Sequence, residues 1–116
     1  MKKLFAGLGY LLLSSAVMGQ AFAPLDGATV SISVSASSQR VAIGKDGPVR
    51  MMNNGTATVW VRCGDNTVVA TTNDIPVPSG SVEVLSFNRT TTNSLNCAAI
   101  AAGATGIIYF TPGIGI

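Results

Sequence analysis

From residue 28 onward the chain is a succession of short runs in which apolar and polar residues alternate, and each run is cut off by Gly, Asn, Asp or Pro. The first, 28–35, sets Val30, Ile32 and Val34 against Thr29, Ser31 and Ser33. That strict period of two is the signature of a half-buried strand. No apolar pattern of helical period and useful length follows residue 23. Further strands are predicted at 39–44, 49–53, 56–63, 67–72, 81–87, 95–101 and 105–111. The punctuation between them is turn chemistry. Gly44-Lys45-Asp46-Gly47 and Gly64-Asp65-Asn66 read as turns, and Asn54-Gly55 as a primed hairpin turn in which both residues tolerate positive φ. Pro76-Val77-Pro78-Ser79-Gly80 reads as a rigid connection that blocks pairing, because proline cannot donate to a ladder. A polar loop at 88–94 and Ala102-Gly103-Ala104 complete the set. About eight short strands predict an all-β fold, a small antiparallel β-sandwich or jelly roll, with an open barrel as the alternative.

A chain of 116 residues has room for one such domain. Its first 23 residues are of another kind. Lys2 and Lys3 precede an apolar stretch from Leu4 to Leu13, and Ala21-Phe22-Ala23 supplies small residues at the end. This is the three-part pattern of a secretory signal peptide. The apolar stretch reaches Val17 at most, about 14 residues where a spanning helix needs roughly 20, so no stable membrane anchor is expected. A cut after Ala23 would leave Pro24 against the scissile bond, whereas a cut after Ala21 uses Gly19 and Ala21 as the small residues. A start at Met18 would remove the leader altogether. The expected organisation is a leader-like segment, 1–23, before a single β domain, 24–116.

Composition narrows the chemistry. Seven Lys and Arg stand against five Asp and Glu, and two of the cations are Lys2 and Lys3, so the β domain is neutral overall. A nucleic-acid surface built on bulk charge is not expected. With no histidine, the commonest general base and the commonest metal ligand are both missing. No GxSxG elbow occurs, and Gly113-Ile114-Gly115 is followed by no helix that would cradle a phosphate. Asp46, Asp65 and Asp74 fall in predicted turns; with Asp26 and Glu83 they form no pair distinguished by spacing. Lys45 lies in a turn and is expected to be solvated. The reading is therefore a non-enzyme without catalytic residues, cofactor or metal. Asn54-Gly55-Thr56 and Asn88-Arg89-Thr90 match the glycosylation sequon but read as turn chemistry.

Cys63 and Cys97 are the two cysteines. An even count in an exported protein suggests a disulfide, and two separate buried thiols acting as small hydrophobes are the alternative. Trp60 and Arg62 share a strand face opposite Val59, Val61 and Cys63. Outward Trp and Arg are the side chains most enriched at protein interfaces, although Trp60 packed on a neighbouring strand under Arg62 is the plainer reading. Ile107-Ile108-Tyr109-Phe110 is apolar on both faces, so this strand is covered twice within the domain or once by another subunit. Trp60, Arg62, Tyr109 and Phe110 are the candidate contact residues, with self-association expected.

A series of phrases runs through the domain in order. They are Ser38-Gln39-Arg40-Val41-Ala42-Ile43, Val49-Arg50, Asn53-Asn54-Gly55-Thr56-Ala57, Val68-Val69-Ala70-Thr71-Thr72, Pro76-Val77-Pro78 with Val82-Glu83-Val84, Ala98-Ala99-Ile100-Ala101, and Tyr109-Phe110-Thr111-Pro112-Gly113. Across 24–116 these resemble small structural proteins of tailed bacteriophages and prophages. The resemblance implies a β-sandwich virion component, a decoration (cement) protein on the head or, second, a tail or fibre part. Its implied partners are the major capsid protein or other virion proteins, and its implied location is the virion. Three features depart from that pattern: the leader, the cysteines at apolar positions (which favours their pairing), and apolar Ile114 where an acid is expected. The leader and the cysteines suit an alternative, a secreted or periplasmic bacterial β-sandwich for binding or adhesion.

Overall fold

Strands that are apolar on one side must bury that side, and two sheets stacked face to face satisfy the demand. The computed structural model describes residues 21–44, 46–87, 94–103 and 105–115. Among these residues there are nine strands: β1 (Ala23–Pro24), β2 (Val30–Val34), β3 (Gln39–Ala42), β4 (Gly47–Asn53), β5 (Val59–Gly64), β6 (Ile75–Val77), β7 (Val82–Phe87), β8 (Asn96–Ile100) and β9 (Gly106–Ile114). All ladders are antiparallel. One sheet runs β7-β4-β9, with β1 and β2 sharing the far side of β9; the other runs β3-β8-β5-β6. The pairs β2–β9, β3–β8, β4–β7 and β5–β6 nest within one another. The outbound half of the chain, β2 to β5, thus lies against the returning half, β6 to β9, and successive pairs alternate between the sheets. This is the nesting of a jelly roll. The all-β sandwich read from the sequence is the fold.

The inward residues make a single core. Ile32 and Val34 of β2, Val49 and Met51 of β4, and Ile108 and Phe110 of β9 meet Val59 and Val61 of β5, Val77 of β6, and Cys97 and Ala99 of β8. Leu95 and Ala101 close the two ends of β8. Phe110 is fully buried here, so its assignment as a contact residue is corrected: the alternation that sends Tyr109 outward sends Phe110 inward.

Three local expectations are also corrected. Asn54-Gly55 is not a hairpin turn, because β4 and β5 lie in different sheets and 54–58 is the crossover between them. Gly55 is not among the glycines of positive φ; its role is close approach. A Cβ built on Gly106 would lie 2.9 Å from the Cα of Gly55, and one on Gly55 would lie 3.3 Å from the Cα of Gly106. Second, 67–72 forms no strand. Polar side chains from outside the run take its amides: Asp65 accepts from the amide of Thr67 at 2.9 Å, Asp74 accepts from that of Thr71 at 2.7 Å, and Ser38 Oγ accepts from that of Ala70 at 2.9 Å. Third, pairing resumes within the proline segment, since Pro76 belongs to β6. That strand is a sheet edge, where a missing donor is tolerated.

Strand β9 runs beyond its predicted end, through Pro112. The carbonyl of Pro112 accepts from Leu25 N at 2.9 Å, so its ring nitrogen faces the same side. There the chain is passing from β1 to β2, and no ladder donor is required. The leader up to residue 20, Lys45 of the predicted turn, and most of the 88–94 loop with its sequon lie outside the described residues.

Candidate interaction faces

Registration across each sheet fixes which side chains share an outer face. On the first sheet Val82 lies opposite Met52, Met52 opposite Tyr109, and Tyr109 opposite Ser31. The neighbouring row is Val84, Arg50 and Thr111, and Ile107 stands opposite Ser33 on the same side. Val82 is 47% exposed and Ile107 37%, while Met52, Val84 and Tyr109 are half-buried. An apolar band therefore crosses three strands, and Arg50 is its single charged residue among those rows. Thr111 is sealed at one end of its row, its hydroxyl 2.8 Å from that of Thr29. Strand β9 is thus covered by core on one side and left partly open on the other.

On the second sheet Trp60 lies between Pro76 and Ile100, and Arg62 lies opposite Ala98, which in turn faces Arg40. Trp60 is half-buried on this outer face. Arg62 is exposed, and its Nε is 3.4 Å from an oxygen of Asp74, whose side chain is only 14% exposed. Asp74 also accepts from the Thr71 amide and hydroxyl, so a loop carboxylate anchors the guanidinium. Such a surface pair contributes at most about 1 kcal/mol.

The four residues singled out from the sequence therefore separate. Trp60 and Arg62 share one sheet, Tyr109 lies on the opposite sheet, and Phe110 is core. Sequence reasoning missed Met52, Val82, Val84 and Arg50, and held Ile107 only as part of the 107–110 run. The available signal was that Arg50-Met51-Met52 and Val82-Glu83-Val84-Leu85 carry apolar residues at both parities.

Cys63 and Cys97 are directly opposed on β5 and β8 and form a disulfide, with Cα atoms 4.0 Å apart. Cys97 is fully buried, and the bond faces the core. Among the described residues no cavity opens, and no three His, Cys, Asp or Glu side chains gather as metal ligands would. No helix among them is long and apolar enough to cross a membrane.

One corner carries a buried polar side chain. Asn53, 1% exposed, donates from Nδ2 to the carbonyls of Ala57 (2.9 Å) and Val77 (2.8 Å) and accepts from Gly55 N (2.9 Å). Its backbone pairs with Ser81 and Gly80. It ties β4 to β6 where the β4–β5 and β6–β7 crossovers pass each other. Its function is architectural.

No family model matches the chain, and no curated protein matches it. Ten chains among solved structures do. The crystal structure of PirA superposes on 75% of this chain and 94% of its own length, with a TM-score of 0.52 and 12% identity. Hydroxypropylphosphonic acid epoxidase from S. wedmorenis matches 72% of this chain and 41% of its own, with a TM-score of 0.42 and 13% identity. Its complex with fosfomycin matches 84% and 60%, with a TM-score of 0.43. The likeness to PirA is one of fold; that to the epoxidase is too slight to carry an argument.

Proposed function

We propose that this chain is a non-enzymatic contact protein of the virion-decoration type, binding the major capsid protein or a neighbouring virion protein and its own copies. The observation that carries the proposal is the band of Val82, Val84, Met52, Tyr109 and Ile107 across one sheet, with Arg50 set among them. A band of this kind gains most when another protein excludes water from it, and a Tyr with an Arg nearby supplies anchors of the type that dominate binding energies. The resemblance of the ordered phrases to small phage structural proteins points the same way. Trp60 and Arg62, on the opposite sheet, give the domain a second, smaller contact face, as a protein bridging neighbours in a lattice requires.

The test is binding to particles of the phage or prophage that encodes the chain, prepared without it. Wild-type protein should co-sediment with the particles. Val82→Lys with Ile107→Lys should abolish this while leaving thermal stability nearly unchanged, because exposed positions move stability by about 0.5 kcal/mol or less. Unaltered occupancy by the double variant would refute the assignment of that face.

The Cys63–Cys97 bond favours a second reading, an exported bacterial module in an oxidising compartment, because structural disulfides persist there. Cell fractionation separates the two. The virion reading expects the protein with assembled particles, and the export reading expects it in the periplasm or medium.

A further inference from the structure

The sequence offers two places at which the leader could be removed, and the fold discriminates between them. Phe22 through Leu25 are held against the end of β9. Ala23 pairs with Ile114 and Pro24 with Gly113, forming β1, and Leu25 N donates to Pro112 O at 2.9 Å. Phe22 takes part in the same contact. Gly113 is buried, and a Cβ built on it would lie 2.6 Å from Cε1 of Phe22 and 2.7 Å from Cζ, besides meeting the carbonyl oxygen of Ala23. The side-chain space of Gly113 is thus occupied by the Phe22 ring and the Ala23 backbone. Ala21, one residue earlier, is exposed and precedes β1.

A cut after Ala23 would discard Phe22 and half of β1, uncovering Gly113 on a central strand. It would also place proline immediately after the scissile bond, where the absent N–H and fixed φ oppose the extended conformation in which proteases hold substrates. A cut after Ala21 keeps Phe22 and the whole of β1, and Gly19 and Ala21 are the small residues the leader pattern requires. We infer that the chain is processed at the Ala21–Phe22 bond by a leader peptidase selective for small side chains. Water adds across that amide, leaving a carboxylate on Ala21 and an ammonium on Phe22, with no other reactant. The peptidase acts on the extended chain before folding, and the new terminus then docks on Gly113. The inference rests on the export reading rather than on the virion one, and chains that begin at Met1 or Met18 would remove it while leaving the virion reading standing.

The test is to express the whole chain in a bacterium with a general secretory system and to determine the N-terminus and intact mass of the exported fraction. The mature protein should begin Phe22-Ala23-Pro24. Ala21→Leu should abolish processing so that precursor accumulates. Ala23→Leu should be processed as wild type, since Ala23 is neither of the small residues that precede the cut, and should fold, since its side chain is exposed. A mature start at Pro24, or processing blocked by Ala23→Leu and spared by Ala21→Leu, overturns the assignment. So does recovery of chains beginning only at Met1 or Met18.

Discussion

Asn53 meets two carbonyls and an amide with the two ends of one side-chain amide, and no other residue of its size offers both donor and acceptor in that geometry. Asn53→Ala removes these bonds from the buried Val77 carbonyl, the part-buried Ala57 carbonyl and the Gly55 amide, which should cost about 2–4 kcal/mol in denaturant unfolding. Asn53→Asp should be worse than Asn53→Ala, because an ionised carboxylate would face the carbonyls of Ala57 and Val77 with nothing to donate. Equal midpoints for the two variants would show that the donor end does not matter. The glycines make a parallel case. Gly27 has φ +79° and open space around it, so Gly27→Ala should cost about 1 kcal/mol from backbone conformation alone. Gly106→Ala should cost several-fold more, since its methyl would meet the Gly55 backbone and part the two chain segments. The adjacent aromatics divide by direction. Phe110→Ala should lose about 3–5 kcal/mol of stability, whereas Tyr109→Ala should weaken partner binding and leave most of the stability intact.

At the scale of strands, the sequence was most readable where one rule acted alone. β2 follows strict alternation with nothing competing, and structure and expectation agree on its inward residues. Expectation failed where a tertiary relation outranked a local signal. Asn54-Gly55 carries the chemistry of a tight hairpin, but the flanking strands belong to different sheets, which no local pattern reveals. The 67–72 run has strand composition, yet Asp65, Asp74 and Ser38 take its amides. Pro76 looked like a barrier, but an edge strand needs no donor on its open side. The outer faces were legible in part. Outward Trp60, Arg62 and Tyr109 follow from parity, but that Val82, Met52 and Tyr109 form one row follows only from register between strands distant in sequence. The cysteines belong to this scale as well. The bond joins β5 to β8 across a separation of 34 residues. On the chain-entropy account, Cys63→Ser with Cys97→Ser should lower unfolding free energy by about 3–4 kcal/mol. Thiol titration of the unreduced, unfolded wild type should find no reactive group.

For the molecule as a whole, every connection from β2 to β5 and from β6 to β9 passes between the two sheets, so they should lose structure together. Fluorescence of Trp60, which reports the second sheet, and far-ultraviolet circular dichroism, which reports both, should give coincident denaturant transitions. Separated midpoints would mean that one sheet survives alone. The placement of β9 has a consequence for biosynthesis. Of the nine strands described it is the last to leave the ribosome, yet β1, β2 and β4 all line up on it. Until residue 114 has emerged, the earlier strands of that layer lack the template that orders them, and their oily sides stay in water. Folding of this layer must therefore wait for β9. A growing chain is safest if kept extended meanwhile, the state in which a translocation channel or a chaperone would hold it.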